Sequence, residues 1–208
     1  MDRTTLAIYI QELNSQCGFT RAALEVYNQS GRQEAQVGVL FAAQAAVTAA
    51  SQVASILWPS RARSRRRGEV LREALGLPEK HPLGDRRFAE LWDNADEKMD
   101  RWVDTHRHGQ AVFDAITPLE KLTAAGVTED DLFRALDPKT GRFYFRGQGY
   151  DLNALSRSIA DVADRVARLA QQLDLEARAA QQQAAQQADE DDAQDDAAGG
   201  ATGGSQGA

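Results

Sequence analysis

Residues 152–173, LNALSRSIADVADRVARLAQQL, place Leu152, Leu155, Ile159, Val162, Val166, Leu169 and Leu173 at alternating steps of three and four. Side chains three and four apart share one face of an α-helix, so this spacing predicts a helix with a continuous apolar seam over about three heptads. Asp161 with Arg165, and Asp164 with Arg168, are spaced to pair along its exposed side. The seam suits a helix docked on its own core, and it equally suits a helix–helix contact between two copies.

Working upstream, Arg142-Phe143-Tyr144-Phe145-Arg146 reads as a strand after the Asp137–Gly141 turn, which predicts a small hairpin or strand pair. With strictly alternating faces, at least one of these aromatics belongs in the core. Thr128-Glu129-Asp130-Asp131 opens like a capping box and predicts a short helix through Leu136. Phe88, Leu91, Ala95, Met99, Trp102 and His106 form a stripe for a helix capped near Asp85 and running to His106. A short helix is expected over residues 68–75. In the first 60 residues, Leu6, Ile10 and Leu13, then Phe19, Ala23 and Tyr27 after a break at Cys17-Gly18, lead to a turn at Ser30-Gly31. An Ala-rich helix follows and ends where Pro59 forbids continuation. Its polar interruptions (Gln44, Thr48, Ser51, Gln52 and Ser55) suit a buried helix better than a membrane span. The expected fold is mainly α: a helical bundle with a small β-hairpin insertion and a long C-terminal helix.

Downstream of the seam the composition turns Gln/Ala-rich, then Asp-rich, then Gly-rich. Such a stretch buries too little apolar area to offset the entropy of ordering. The expected organisation is a helical domain over residues 1–178 and a disordered acidic tail over 179–208. The chain carries a net charge of −7, and from Glu176 onward seven acids face one base, which leaves the body near −1. A single cysteine, Cys17, excludes an internal disulfide and points to a reducing, cytoplasmic compartment. No basic neighbour lowers its pKa in sequence, so it reads as packing rather than as a reactive thiol. The N-terminus lacks the apolar run of a signal peptide.

Motifs for phosphate loops, dinucleotides, zinc, calcium or a nucleophile elbow are missing, so no cofactor and no metal is expected. His106-x-His108 has too few companions for a metal site. Arg61, Arg63, Arg65, Arg66 and Arg67 form a basic connector that could neutralise nucleic-acid phosphates, or serve only as a solvated linker. RNA and a partner protein are the partners considered.

Several blocks carry a resemblance: Leu57-Trp58-Pro59-Ser60, Arg67-Gly68-x-x-Leu71-Arg72-x-x-Leu75, Pro82-Leu83-x-Asp85-Arg86 and Asp96-Glu97-Lys98-Met99-Asp100-Arg101-Trp102. Asp137-Pro138-x-Thr140-Gly141 and Gly149-Tyr150-x-Leu152 add to them. In scattered pieces over residues 37–169, the chain resembles bacterial helical proteins of the HEPN (higher eukaryote and prokaryote nucleotide-binding) superfamily. The resemblance implies a homodimeric helical bundle in a defence or toxin–antitoxin setting, where many members are metal-independent ribonucleases. Their signature is an Arg followed after four to six residues by His. Here Asn94 stands where that His is expected, near Arg86 and Arg87, and an amide cannot exchange a proton near neutral pH. The implied site is therefore degenerate, which points to a binding or regulatory module. Arg101 with His106 offers a displaced Arg–His pair for a ribonuclease, and a structural partner protein built on the C-terminal helix is a third possibility.

Overall fold

A computed structural model describes residues 1–199. The chain divides into two compact units, Met1–Ala167 and Arg168–Ala208, so the boundary expected after residue 178 falls inside the second. Helix α1 (Arg3–Arg32) pairs with α2 (Gln36–Leu57), and α3 (Arg65–Ala74), α4 (Arg86–Ala89), α5 (Ala95–His106) and α6 (Leu119–Ala124) follow. Four short strands, β1 (Ala115–Ile116), β2 (Arg134–Asp137), β3 (Arg142–Phe145) and β4 (Gln148–Asp151), lead into α7 (Leu152–Gly199). The expectation of a mainly helical protein with a small β insertion and a long C-terminal helix is met.

The α1–α2 pair holds much of the core. Ile10, Leu13, Cys17 and Leu24 on α1 are buried, as are Val39, Leu40, Val47, Val53 and Leu57 on α2. Each fully buried Leu or Val contributes roughly 1.5–3 kcal/mol relative to exposure. Between them, Ala42, Ala43, Ala46, Ala50 and Ala54 are also buried, and their small side chains let the helices approach closely. α1 does not break at Cys17-Gly18. Because the period runs on unbroken, Thr20 and Leu24 turn inward while Phe19 is left 60% exposed. Helix α2 is long and apolar enough to cross a membrane, yet 61% of that window is buried inside the fold.

Where α2 ends, two arginines close its open carbonyls. Arg67 donates to Ser55 O at 3.0 Å and Ile56 O at 3.3 Å, and Arg72 donates to Leu57 O. A Cβ on Gly68 would meet Pro59 Cδ at 2.6 Å and Leu57 O at 2.7 Å, so only glycine allows α3 to come this close. α3 begins at Arg65, three residues ahead of the expected start.

The stretch expected to be one helix from Asp85 to His106 is two. Asn94 takes a left-handed conformation (φ 48°, ψ 51°) and starts α5, and Leu91 drops into the core in the break. Side chains from elsewhere receive the carbonyls so exposed: Lys98 donates to Glu90 O, and Arg146 to Leu91 O at 2.7 Å and Ala95 O at 3.3 Å. The capping box at Thr128–Asp131 is present, but it opens only a single tight turn rather than a helix through Leu136. Residues 134–137 instead form β2, antiparallel to β3, while β1 pairs in parallel on its other side. Pairing with β2 satisfies backbone groups of β3 that a helix would have left unpaired.

The sheet, in order β1-β2-β3-β4, exceeds the expected strand pair. Phe143, Tyr144 and Phe145 are all buried, so both faces of β3 are covered. β3 and β4 are joined by two residues, Arg146 (φ 49°) and Gly147 (φ 74°), with Phe145 opposite Gln148. That tight turn matches the twist of the strands but requires a positive φ at both positions, where Asn or Asp commonly precedes Gly. An arginine in this conformation is an outlier that points to another use for its side chain.

On α7, Leu152, Leu155, Ile159, Val162 and Val166 are buried, as a helix docked on its own core requires. Arg165 pairs with Asp161 at 3.0 Å and donates to Leu75 O at 3.3 Å. His81, also buried, accepts at Nδ1 from Leu83 N–H at 3.2 Å, stacks on Trp58 at 5.3 Å and lies 3.5 Å from Asp161. In the second unit the backbone continues as helix to Gly199. Its described side chains from Arg178 to Gln186 are all exposed. The rest of the expected tail, residues 200–208, lies outside the described residues.

Candidate functional site

α5 places Lys98, Arg101, Trp102, Thr105 and His106 on one face, at spacings of three, four, seven and eight. That face, the β3–β4 turn, α4 and Asp130 line an open cavity of about 450 Å³. Four cations line it: Arg87, Lys98, Arg101 and Arg146, against the carboxylates of Glu90 and Asp130. Aromatic wall is supplied by Trp102, Phe145 and Tyr150. Cations gathered in one concave, partly apolar space can attract an anion.

The four cations are held differently. Arg87 pairs with Asp85 at 2.6 Å, which raises its pKa, and donates to Gly149 O at 3.1 Å. Arg146 spans the break between α4 and α5 and lies over Phe145 at 4.7 Å and Trp92 at 5.5 Å. Burial lowers its pKa. The Lys98 ammonium is pushed below its usual range by burial first, and next by the Arg146 charge. An anion entering between these two groups would relieve that repulsion. The Arg101 side chain is exposed and, among the described residues, has no hydrogen bond or ion pair. Tyr150, whose phenol burial pushes up to about 12, stays protonated and packs on Phe88 at 5.3 Å.

His106 is fixed rather than poised. Its Nδ1 is 2.7 Å from Trp102 O, and a carbonyl only accepts, so the proton sits on Nδ1. Nε2 faces Asp131 Oδ1 at 3.6 Å, and the ring stacks on Trp102 at 4.1 Å. The Asp131 carboxyl is itself held below its usual range, chiefly by the Thr128 backbone N–H. With 9% of the side chain exposed and both nitrogens directed at protein groups, this imidazole is poorly placed to take a proton from a ligand.

The residues expected from the sequence are partly brought together. Arg87, Arg101 and His106 meet at the cavity. Arg86 turns away, its side chain 83% exposed and paired with Glu90, while Asn94 is exposed and is not among the lining residues. In the basic connector, Arg67 is committed to capping α2 and Arg66 pairs with Glu69 at 3.8 Å. Arg61, Arg63 and Arg65 are exposed and, among the described residues, unpaired. His108 is exposed and does not line the cavity. No group of three or more His, Cys, Asp or Glu able to hold a metal occurs among the described residues. Burial raises the Cys17 thiol to about 12.

Lys98 and Arg146 were missed by sequence reasoning. Lys98 stands three residues before Arg101, a spacing that places both on one helical face, and Arg146 stands before Gly147 where an Asn is usual. Comparison with known proteins returns no matching family model, curated protein or solved structure.

Proposed function

We propose that this chain is a HEPN-like binding or regulatory module that holds the phosphates of RNA in the Arg87–Lys98–Arg101–Arg146 cavity and does not cut them. It would act as a cytoplasmic homodimer in a bacterial defence or toxin–antitoxin setting. The observation that carries the reading is four cations around one 450 Å³ space with aromatic walls. Guanidiniums hold phosphate oxygens through charge-assisted bonds. Against cleavage stands the geometry of His106, whose ring nitrogens face Trp102 O and Asp131.

A ribonuclease is the second reading, favoured by Arg101 and His106 lining the same cavity. His106 would take the ribose 2′-hydroxyl proton as that oxygen attacks the adjacent phosphorus, and Arg101 would stabilise the charge gathering on the phosphate. The P–O5′ bond would break to leave a 2′,3′-cyclic phosphate, with the departing 5′-oxygen protonated by water. One experiment separates the two. Labelled single-stranded RNA is titrated with the wild-type chain and with Arg101→Ala in the presence of a chelator, and the RNA is then resolved by length. Salt-sensitive binding that Arg101→Ala weakens, with the RNA intact, is the expected result. Metal-free cleavage abolished by His106→Ala would replace the binding reading with the ribonuclease.

A further inference from the structure

We infer that the bound strand continues out of the cavity into a second phosphate subsite, the cleft between Arg65, Arg72 and Arg86, so that the ligand is an oligonucleotide rather than a mononucleotide. This rests on the cavity holding RNA phosphate. The cleft, about 350 Å³, is also lined by Trp58, Ser60, Glu69 and Glu90. Glu90 lines the cavity as well, so the two spaces share a wall.

Helix α4 sits at that wall. Consecutive helical residues point roughly 100° apart, and here Arg86 lines the cleft while Arg87 lines the cavity. Taken together, the two spaces present seven cations (Arg65, Arg72, Arg86, Arg87, Lys98, Arg101, Arg146) against Glu69, Glu90 and Asp130. A local charge of +4 on a chain of net −7 marks this as the place where a polyanion would settle.

Trp58 already stacks with His81 at 5.3 Å and lies under the Arg72 guanidinium at 5.7 Å, so it has no open ring for a base. Arg65 is exposed and, among the described residues, unpaired, and it is the residue free to meet a phosphate. The second subsite thus contributes length dependence without base preference.

The test uses the 208-residue chain, uridine monophosphate and labelled oligouridylates of about 2 to about 12 nucleotides, lengths over which a single-strand site fills. Arg65→Glu is the informative variant. Residue 65 opens α3, and an acid in the first turn of a helix favours folding. Arg65→Glu is expected to weaken the longer oligonucleotides about tenfold, the worth of one charge-assisted bond. It should also reduce their log–log salt slope by about 0.7. The monophosphate and dinucleotide should bind as to wild type, whereas Arg101→Ala should weaken every length. If Arg65→Glu leaves all lengths unchanged, or weakens all equally, the second subsite is overturned and the cavity reading stands. If no length binds, or if Arg101→Ala changes nothing, the cavity reading fails and the second subsite falls with it.

Discussion

The α1–α2 pair and the α5–hairpin cavity are built on opposite plans. α2 contains no charged residue, and its contact with α1 is made by Leu, Val, Ile and Ala side chains that are almost fully buried. In the cavity region, arginine and lysine side chains donate to backbone carbonyls of the α4–α5 break and of the edge strand β4. Apolar packing fixes the first region whatever its polar surroundings. The second needs cations for its own architecture, and only Arg101 among them is uncommitted. Cations that hold the frame and cations that hold a ligand can therefore be separated by substitution.

The largest effect should come from the apolar pair. Leu13→Ala is expected to cost about 2–5 kcal/mol in urea unfolding, while RNA affinity at low temperature, where the variant remains folded, stays at the wild-type level. A drop in affinity there would couple the two regions and break the contrast. Next in size, Arg146→Ala keeps the strained turn but leaves the Leu91 carbonyl without its side-chain donor. A stability loss of about 1–3 kcal/mol is expected, together with the weaker RNA binding that the proposed site implies.

A smaller effect should follow pH. Burial lowers the pKa of His81 below 6.5, opposed by Asp161 and reinforced by Arg165. Below 6.5 the unfolded chain binds the proton before the fold does, so stability is full above that value and declines as pH falls toward the lowered one. Thermal unfolding at pH 7 and pH 5 should show this decline, no steeper than about 1.4 kcal/mol per pH unit. His81→Asn, whose amide oxygen can accept from Leu83 N–H as Nδ1 does, should flatten it. Smallest on stability is Arg101→Ala, within about 0.5 kcal/mol, despite its loss of RNA affinity. An equal loss of both would place Arg101 in the frame and sharpen the division against the cavity.

The two regions also differ in how far the sequence exposes them. Leu152 to Val166 could be read as a buried seam because their contacts follow one helical period. The same period misled at Phe88 to His106, where the chain leaves the helix at Glu90–Asn94 and long-range donors stabilise the departure. Arg146 reaches Leu91 and Ala95 from 55 and 51 residues away, a pairing no local pattern can signal. Of the cavity, Arg87, Arg101 and His106 were visible as residue types, but their convergence depends on the β3–β4 turn. The basic connector was visible as charge alone, and only packing distinguishes Arg67, turned onto α2, from Arg65, turned outward.

Arg67 and Arg72 close the end of α2 from only 11 to 15 positions further along the chain. A growing polypeptide thus carries the donors that cap α2 as soon as residue 72 has been added. The walls around Arg101, by contrast, wait for Tyr150. A message truncated between those points would carry the donors that cap α2 but not all of the groups that complete the cavity.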